Sequence, residues 1–231
     1  MPVNNPPSPF DELSNRLVNL DGDWTADEAW RILAVFKRLE RLSGRTSSEQ
    51  FNGQTTTFHH SGRPGKVGRT LSADIDLDMH WTDWTMAHEL GHRWNNAWGR
   101  APERGLRKAL RAGRWEWLKR GLRRFEKWLE RILGILGIKK RIDWQALWYH
   151  PGDAPPPCGA DRNFNAGEDL AECFASSIFP EDARTRAAKA ASRLARRVRE
   201  WDWGSQYADF STTHRGAFMQ EKLMNLFTEQ D

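Results

Sequence analysis

The chain has 231 residues, 39% of them hydrophobic, with 13 Trp and 11 Phe; that is enough apolar material for a core and suits one domain over residues 1–231. Charged residues make up 29% and the net charge is +4, while no run nears the roughly 18–20 consecutive apolar residues of a membrane-spanning helix, so neither disorder nor a membrane span is expected. Cys158 and Cys173 are its only cysteines, which excludes a disulfide-dense scaffold and leaves one conceivable bridge.

The opening "MPVNNPPSPFDELSN" has neither a positive n-region nor an apolar h-region, so a cytoplasmic setting is the default expectation. The first marked element is a helix. Thr25 and Glu28 in "TADE" have capping-box spacing, Ala29, Ile32, Leu33, Phe36 and Leu39 form a helical stripe, and Gly44 supplies a stop. Residues 45–68 read as loop with a short strand around Phe51 to Phe58, and His59 and His60 as solvated loop histidines. "TLSADIDLDMHW" then alternates without a break. Leu71, Ala73, Ile75, Leu77, Met79 and Trp81 fall on one face and Thr70, Ser72, Asp74, Asp76, Asp78 and His80 on the other, so residues 70–79 are expected to form one strand with one wet face. Thr82 or Asp83 can cap a helix from about Trp84 to Trp98.

Residues 101–141 carry 14 Lys and Arg against 4 Glu, net +10 in a chain whose total is +4. Leu106, Leu110, Trp117, Leu118, Leu122, Phe125, Leu129, Ile132 and Leu136 recur at three- and four-residue spacing, which predicts a long basic amphipathic helix or a broken pair, weakened at Gly113 and Gly121. "HPGDAPPPCGADRNFNAG", residues 150–167, reads as loop. In "EDLAECFASSIF" Leu170, Ala171, Phe174 and Ile178 have helical spacing, and Pro180 is expected to close that helix. The run 183–199 and the stretch "HRGAFMQEKLMNLF" predict two further helices.

The chemistry lies in "MAHELGHRWN", residues 86–95. Positions i and i+4 of a helix share a face, so His88 and His92 can direct two imidazoles at one ion, with Glu89 beside them. This is H-E-x-x-H, in which the histidines bind Zn²⁺ and the glutamate acts as general base on a water that the ion activates. Gly91 fits a helix that another element approaches closely. A catalytic zinc takes a third protein ligand. The metzincin extension would need Gly at 95 and His at 98, where the chain has Asn95 and Trp98. The third ligand is therefore sought in "NAGEDLAECF". Glu168 and Glu172 are four apart, so one can bind the ion while the other accepts the free N–H of a ligating histidine. Two acids in a first helical turn are also what the helix dipole favours without any metal.

"HELGH" followed by a helix "EDLAECFA" resembles the gluzincin zinc peptidases, most closely the lethal-factor and Pro-Pro endopeptidase group, whose third-ligand helix reads E-x-x-A-E-x-F. The resemblance covers residues 70–99 and 160–180. It implies an α+β zincin-like fold with a small twisted sheet, an active-site helix and a Glu-ligand helix. It further implies one Zn²⁺ per chain held by His88, His92 and Glu168, Glu172 as partner of a ligating histidine, and hydrolysis of peptide bonds in a protein or peptide substrate. Such enzymes lay substrate along an edge strand, a role the acidic-faced strand 70–79 would take. Two features depart from the group. His92 and Glu168 are 76 positions apart, a distance that becomes ordinary if 101–141 is an insertion. The tyrosine expected shortly before the third ligand, to stabilise the oxyanion, is replaced at position 161 by Asp161; Tyr149 is the candidate for that role, with His150, Tyr207 and His214 behind it.

Cys158 in "PPPCGAD" only faintly suggests a cysteine switch, and Cys173 is expected to be buried off the ligand face. Asp74, Asp76 and Asp78 lack the ligand spacing of a calcium loop. Two non-enzyme readings compete. The basic helix with Trp115, Trp117 and Trp128 could act on an anionic membrane, or less readily on nucleic acid, and a catalytically weak zincin fold could serve as scaffold for it. Retention of Glu89 argues against the scaffold, and a packed helical excursion with a solvated basic face accounts for 101–141 without a ligand.

Overall fold

A computed structural model describes residues 7–61, 68–111, 166–186 and 210–226 of the chain. Its helices among these are α1 (Pro9–Ser14), α2 (Ala26–Ser43), α3 (Ser47–Gln50), α4 (Asp83–Ala97), α5 (Ala101–Arg111), α6 (Ala166–Ile178) and α7 (His214–Asn225). The strands are β1 (Val18–Asp21), β2 (Thr56–Ser61), β3 (Gly68–Leu71) and β4 (Asp74–Asp78), in one mixed sheet of order β1-β2-β4-β3. The architecture is α+β. β1, β2 and β4 run parallel, and β3 pairs antiparallel with β4 at the edge.

Register turns one face of the sheet inward. Leu20, Phe58 and Ile75 lie opposite one another across three strands, and Leu77 follows Ile75 on the same face. Phe58, Ile75 and Leu77 are fully buried. Against this face lies α2, whose Phe36 ring meets the Phe58 ring edge-on at 6.2 Å between centroids. The α2 ends are as expected. Thr25 and Glu28 form a reciprocal capping box and Gly44 sits in the left-handed region at φ 68°. The predicted stripe Ala29, Ile32, Leu33, Phe36 and Leu39 is buried throughout.

Two expectations about the sheet fail for the same reason. Residues 70–79 are not one strand: the chain reverses at Ser72, which adopts φ 57°, so β3 and β4 form a hairpin with Leu71 opposite Asp74 and Thr70 opposite Ile75. The reversal flips the faces of β3 relative to an unbroken strand. Leu71 therefore points outward, 46% exposed, and Thr70 points inward. Ser-Ala at the turn lacks the Asn-Gly or Asp-Gly signal that marks such reversals. The acidic strand is consequently interior to the sheet, and the edge belongs to β3. Nor is the acidic face uniformly wet, since Asp78 is buried and accepts a hydrogen bond from the His80 N–H at 2.8 Å.

The segment 45–68 is more structured than its composition suggests. Thr46 and Glu49 make a second capping box that starts α3. His59 and His60 lie on β2, with His59 Nδ1 2.8 Å from Asp21 and His60 Nε2 3.4 Å from Glu28. The short α1 and β1 carried no sequence expectation. Pro180 marks the end of the Glu168 helix, as expected. α6 stops at Ile178, and residues 180–186 resume as helix after Phe179. α5 is the beginning of the basic segment and packs against α6 and α7 through buried Pro102 and Leu106, while Arg104, Arg107 and Lys108 face solvent. The remainder of that segment, the loop 150–165 and most of the helix expected over 183–199 lie outside the described residues. No helix among the described residues is long and apolar enough to cross a membrane.

Candidate metal centre

Thr82 caps α4, accepting from the Thr85 N–H at 3.1 Å, and Trp84, Met86, Ala87, Leu90, Trp94 and Ala97 seat the helix in the core. α6 is buried nearly all round, with Leu170, Ala171, Cys173, Phe174 and Ala175 fully buried. The two helices lie against each other. A Cβ on Gly91 would fall 2.7 Å from Ala171 Cα and 2.9 Å from Phe174 Cβ, so only glycine permits this approach. Trp94 and Phe174 close the contact one turn further on, ring centroids 5.5 Å apart. The opposite flank of α6 is held by α7. Arg215 makes a two-pronged bond to Asp169, Nε to Oδ1 at 2.9 Å and an Nη to Oδ2 at 3.0 Å, and both residues are buried.

This packing brings residues 80 positions apart into contact. His88 Nε2 is 3.1 Å from Glu168 Oε2 and 3.1 Å from His92 Nε2, and His92 Nε2 is 3.6 Å from Glu168 Oε1. Among the described residues His88, His92 and Glu168 form the one group of three whose ligand atoms converge closely enough to hold a metal ion. On the far side of the His88 ring, Nδ1 lies 3.0 Å from Glu172 Oε1, an ion-pair contact with a carboxylate that is 4% exposed. Glu172 thus touches Nδ1 of His88, while Glu168 faces Nε2 of both histidines.

The electrostatics favour a cation. Burial works against charge on His88, but its bonds to Glu168 and Glu172 outweigh burial and push its pKa up to about 10. The bonds from His88 and His92 in turn hold the Glu168 carboxyl well below the usual carboxylate range, despite burial.

Glu89 is buried at 7% exposure, and its Oε2 accepts a 2.6 Å hydrogen bond from the Thr70 hydroxyl on β3. The alternation of the sequence places Thr70 on a solvated face, and the hairpin register turns it inward instead. Arg215 was likewise unmarked; a lone Arg in "HRGAF" has no spacing that ties it to Asp169. Cys173 is buried, as expected, and forms no disulfide among the described residues; burial and the Asp169 charge push its thiol pKa up although Arg215 pulls the other way. Tyr149, His150, Asp161, Tyr207 and Cys158 lie outside the described residues, and His214, inside them, is the first residue of α7. No family model, curated protein or solved structure matches the chain.

Proposed function

We propose that the chain is a zinc-dependent endopeptidase of the gluzincin type, with His88, His92 and Glu168 as metal ligands and Glu89 as general base. The observation that carries this reading is the convergence of the three donor atoms beside a buried glutamate on the same helix. Zinc is favoured by the donor chemistry. Two imidazoles and one carboxylate make a three-ligand site of the catalytic kind, and a tetrahedral ion about 2.0–2.1 Å from each donor would hold donors about 3.3–3.4 Å apart. The separations here are 3.1, 3.1 and 3.6 Å. Two neutral imidazoles and one carboxylate would leave a bound zinc with net charge +1, which suits it to act as a Lewis acid.

When bound, zinc supplies Lewis acidity to the attacking water and the scissile carbonyl. The protein does the rest. Glu89 takes the proton of the attacking water and delivers it to the leaving amine. Glu172 fixes the His88 ring so that Nε2 faces the ion. β3, at the sheet edge, is the strand along which an extended peptide substrate would lie, gaining backbone hydrogen bonds. The packed first turns of α5, with a solvated basic face, favour a helical excursion on the catalytic fold over a membrane-binding module.

Zinc-loaded protein incubated with a diverse peptide library should yield internal cleavages, followed by mass spectrometry. Glu89→Gln should retain one zinc per chain and lose activity by several orders of magnitude, because shape survives while the base does not. Full activity in Glu89→Gln would falsify the mechanism.

A further inference from the structure

We propose that Thr70 is a positioning residue for Glu89, so that the sheet edge sets the aim of the general base. The inference rests on the reading of Glu89 as that base. A glutamate side chain has three rotatable bonds, and a base must sit within hydrogen-bond reach of the proton it takes. Packing alone does not fix a carboxylate, whose oxygens need donors. Among the described residues no side chain other than Thr70 donates to this one.

The clamp is built from register. Thr70 lies opposite Ile75, on the inward face of the hairpin, and α4 packs against β3 on that side. Its hydroxyl donates to Glu89 Oε2 at 2.6 Å and lies 3.0 Å from the Glu89 carbonyl oxygen, so one oxygen touches both ends of the same residue. Two residues on, the Ser72 carbonyl accepts from Asn96 Nδ2 at 3.4 Å, tying the hairpin turn to the same helix about two turns further along. Strand and helix are thus fastened at two points, one of them the carboxylate itself. The arrangement joins two tasks in one element: the strand that would seat an extended substrate also holds the base. A shift of β3 along the helix would move both together.

The test compares Thr70→Val, which keeps the shape and removes the hydroxyl, with Thr70→Ser, which keeps the hydroxyl, both as zinc-loaded full chains. Thr70→Val should bind one zinc per chain, keep KM within about twofold and lose about 10–100-fold in kcat, the scale on which misplacement of a catalytic group acts. Thr70→Ser should recover most of that loss. Crystal structures of both variants supply a readout independent of activity: in Thr70→Val the Glu89 carboxylate should leave its position while His88, His92 and Glu168 stay, and in Thr70→Ser it should remain. An unmoved carboxylate in Thr70→Val, an unchanged kcat, or a Thr70→Ser variant as impaired as Thr70→Val overturns the proposal. If the wild-type protein binds zinc and cleaves nothing, the peptidase reading fails, and the crystallographic comparison still decides whether Thr70 aims Glu89.

Discussion

The α4–α6 helix pair and the β3–β4 hairpin each hold one half of the candidate site, and they hold it by different physics. The helix pair is fixed by close packing. Gly91 against Ala171, Trp94 against Phe174, and Asp169 against Arg215 leave the ligand-bearing helix no alternative seat. The hairpin is anchored by buried Ile75 and Leu77 on β4, and its edge strand meets α4 through the Thr70 hydroxyl and the Ser72 carbonyl. Burial fixes the first arrangement, whereas in the second polar contacts of modest strength join the edge strand to α4. In the proposed reading, such a site would hold an ion on packed helices and meet substrate at the sheet edge.

The sharpest test of the rigid half removes a donor without disturbing the packing. Glu168→Ala should abolish stoichiometric zinc after dialysis while circular dichroism shows the helices intact; retained zinc would move the third ligand elsewhere. Next in size is Arg215→Ala, which leaves Asp169 buried without its cation and should cost about 3–5 kcal/mol in urea unfolding. Gly91→Ala forces α4 and α6 apart and should cost about 1–3 kcal/mol, with weaker zinc binding measured on the folded fraction. The smallest effect belongs to the hairpin's edge. Asn96→Ala removes an exposed bond and should change stability by about 1 kcal/mol or less. If it destabilised the protein more than Gly91→Ala does, the contrast between the two halves would be reversed.

The same contrast explains what could be read in advance. α2, α4 and α6 announce themselves by apolar spacing and caps, and a helix converts spacing directly into a shared face, so His88, His92, Glu168 and Glu172 were nameable before any fold. Gly91 was legible as a point of close approach, though not against what. A strand offers no such guarantee. Its side chains change faces with every residue, so an unmarked turn at Ser72 inverted the assignment of Thr70 and Leu71 together. β1 pairs with β2 across nearly forty residues, and the Asp169–Arg215 bond spans 46; neither partner carries a local signal of the other. Short elements such as α1 and α3 have too few residues for a period to emerge.

The grip of α7 on α6 also has a consequence in time. Synthesis runs at about 5–20 residues per second, so Arg215 follows Asp169 by about 2–9 s over their 46-residue separation. α7 also reaches back to the amino-terminal half, where Gln50 Nε2 donates to the Leu223 carbonyl at 2.7 Å. During that interval a nascent chain has both histidines and Glu168 in hand but lacks the clasp that seats their helix. A chain folding as it is made would therefore carry the candidate ligands His88, His92 and Glu168 for seconds before Arg215 is available to hold Asp169.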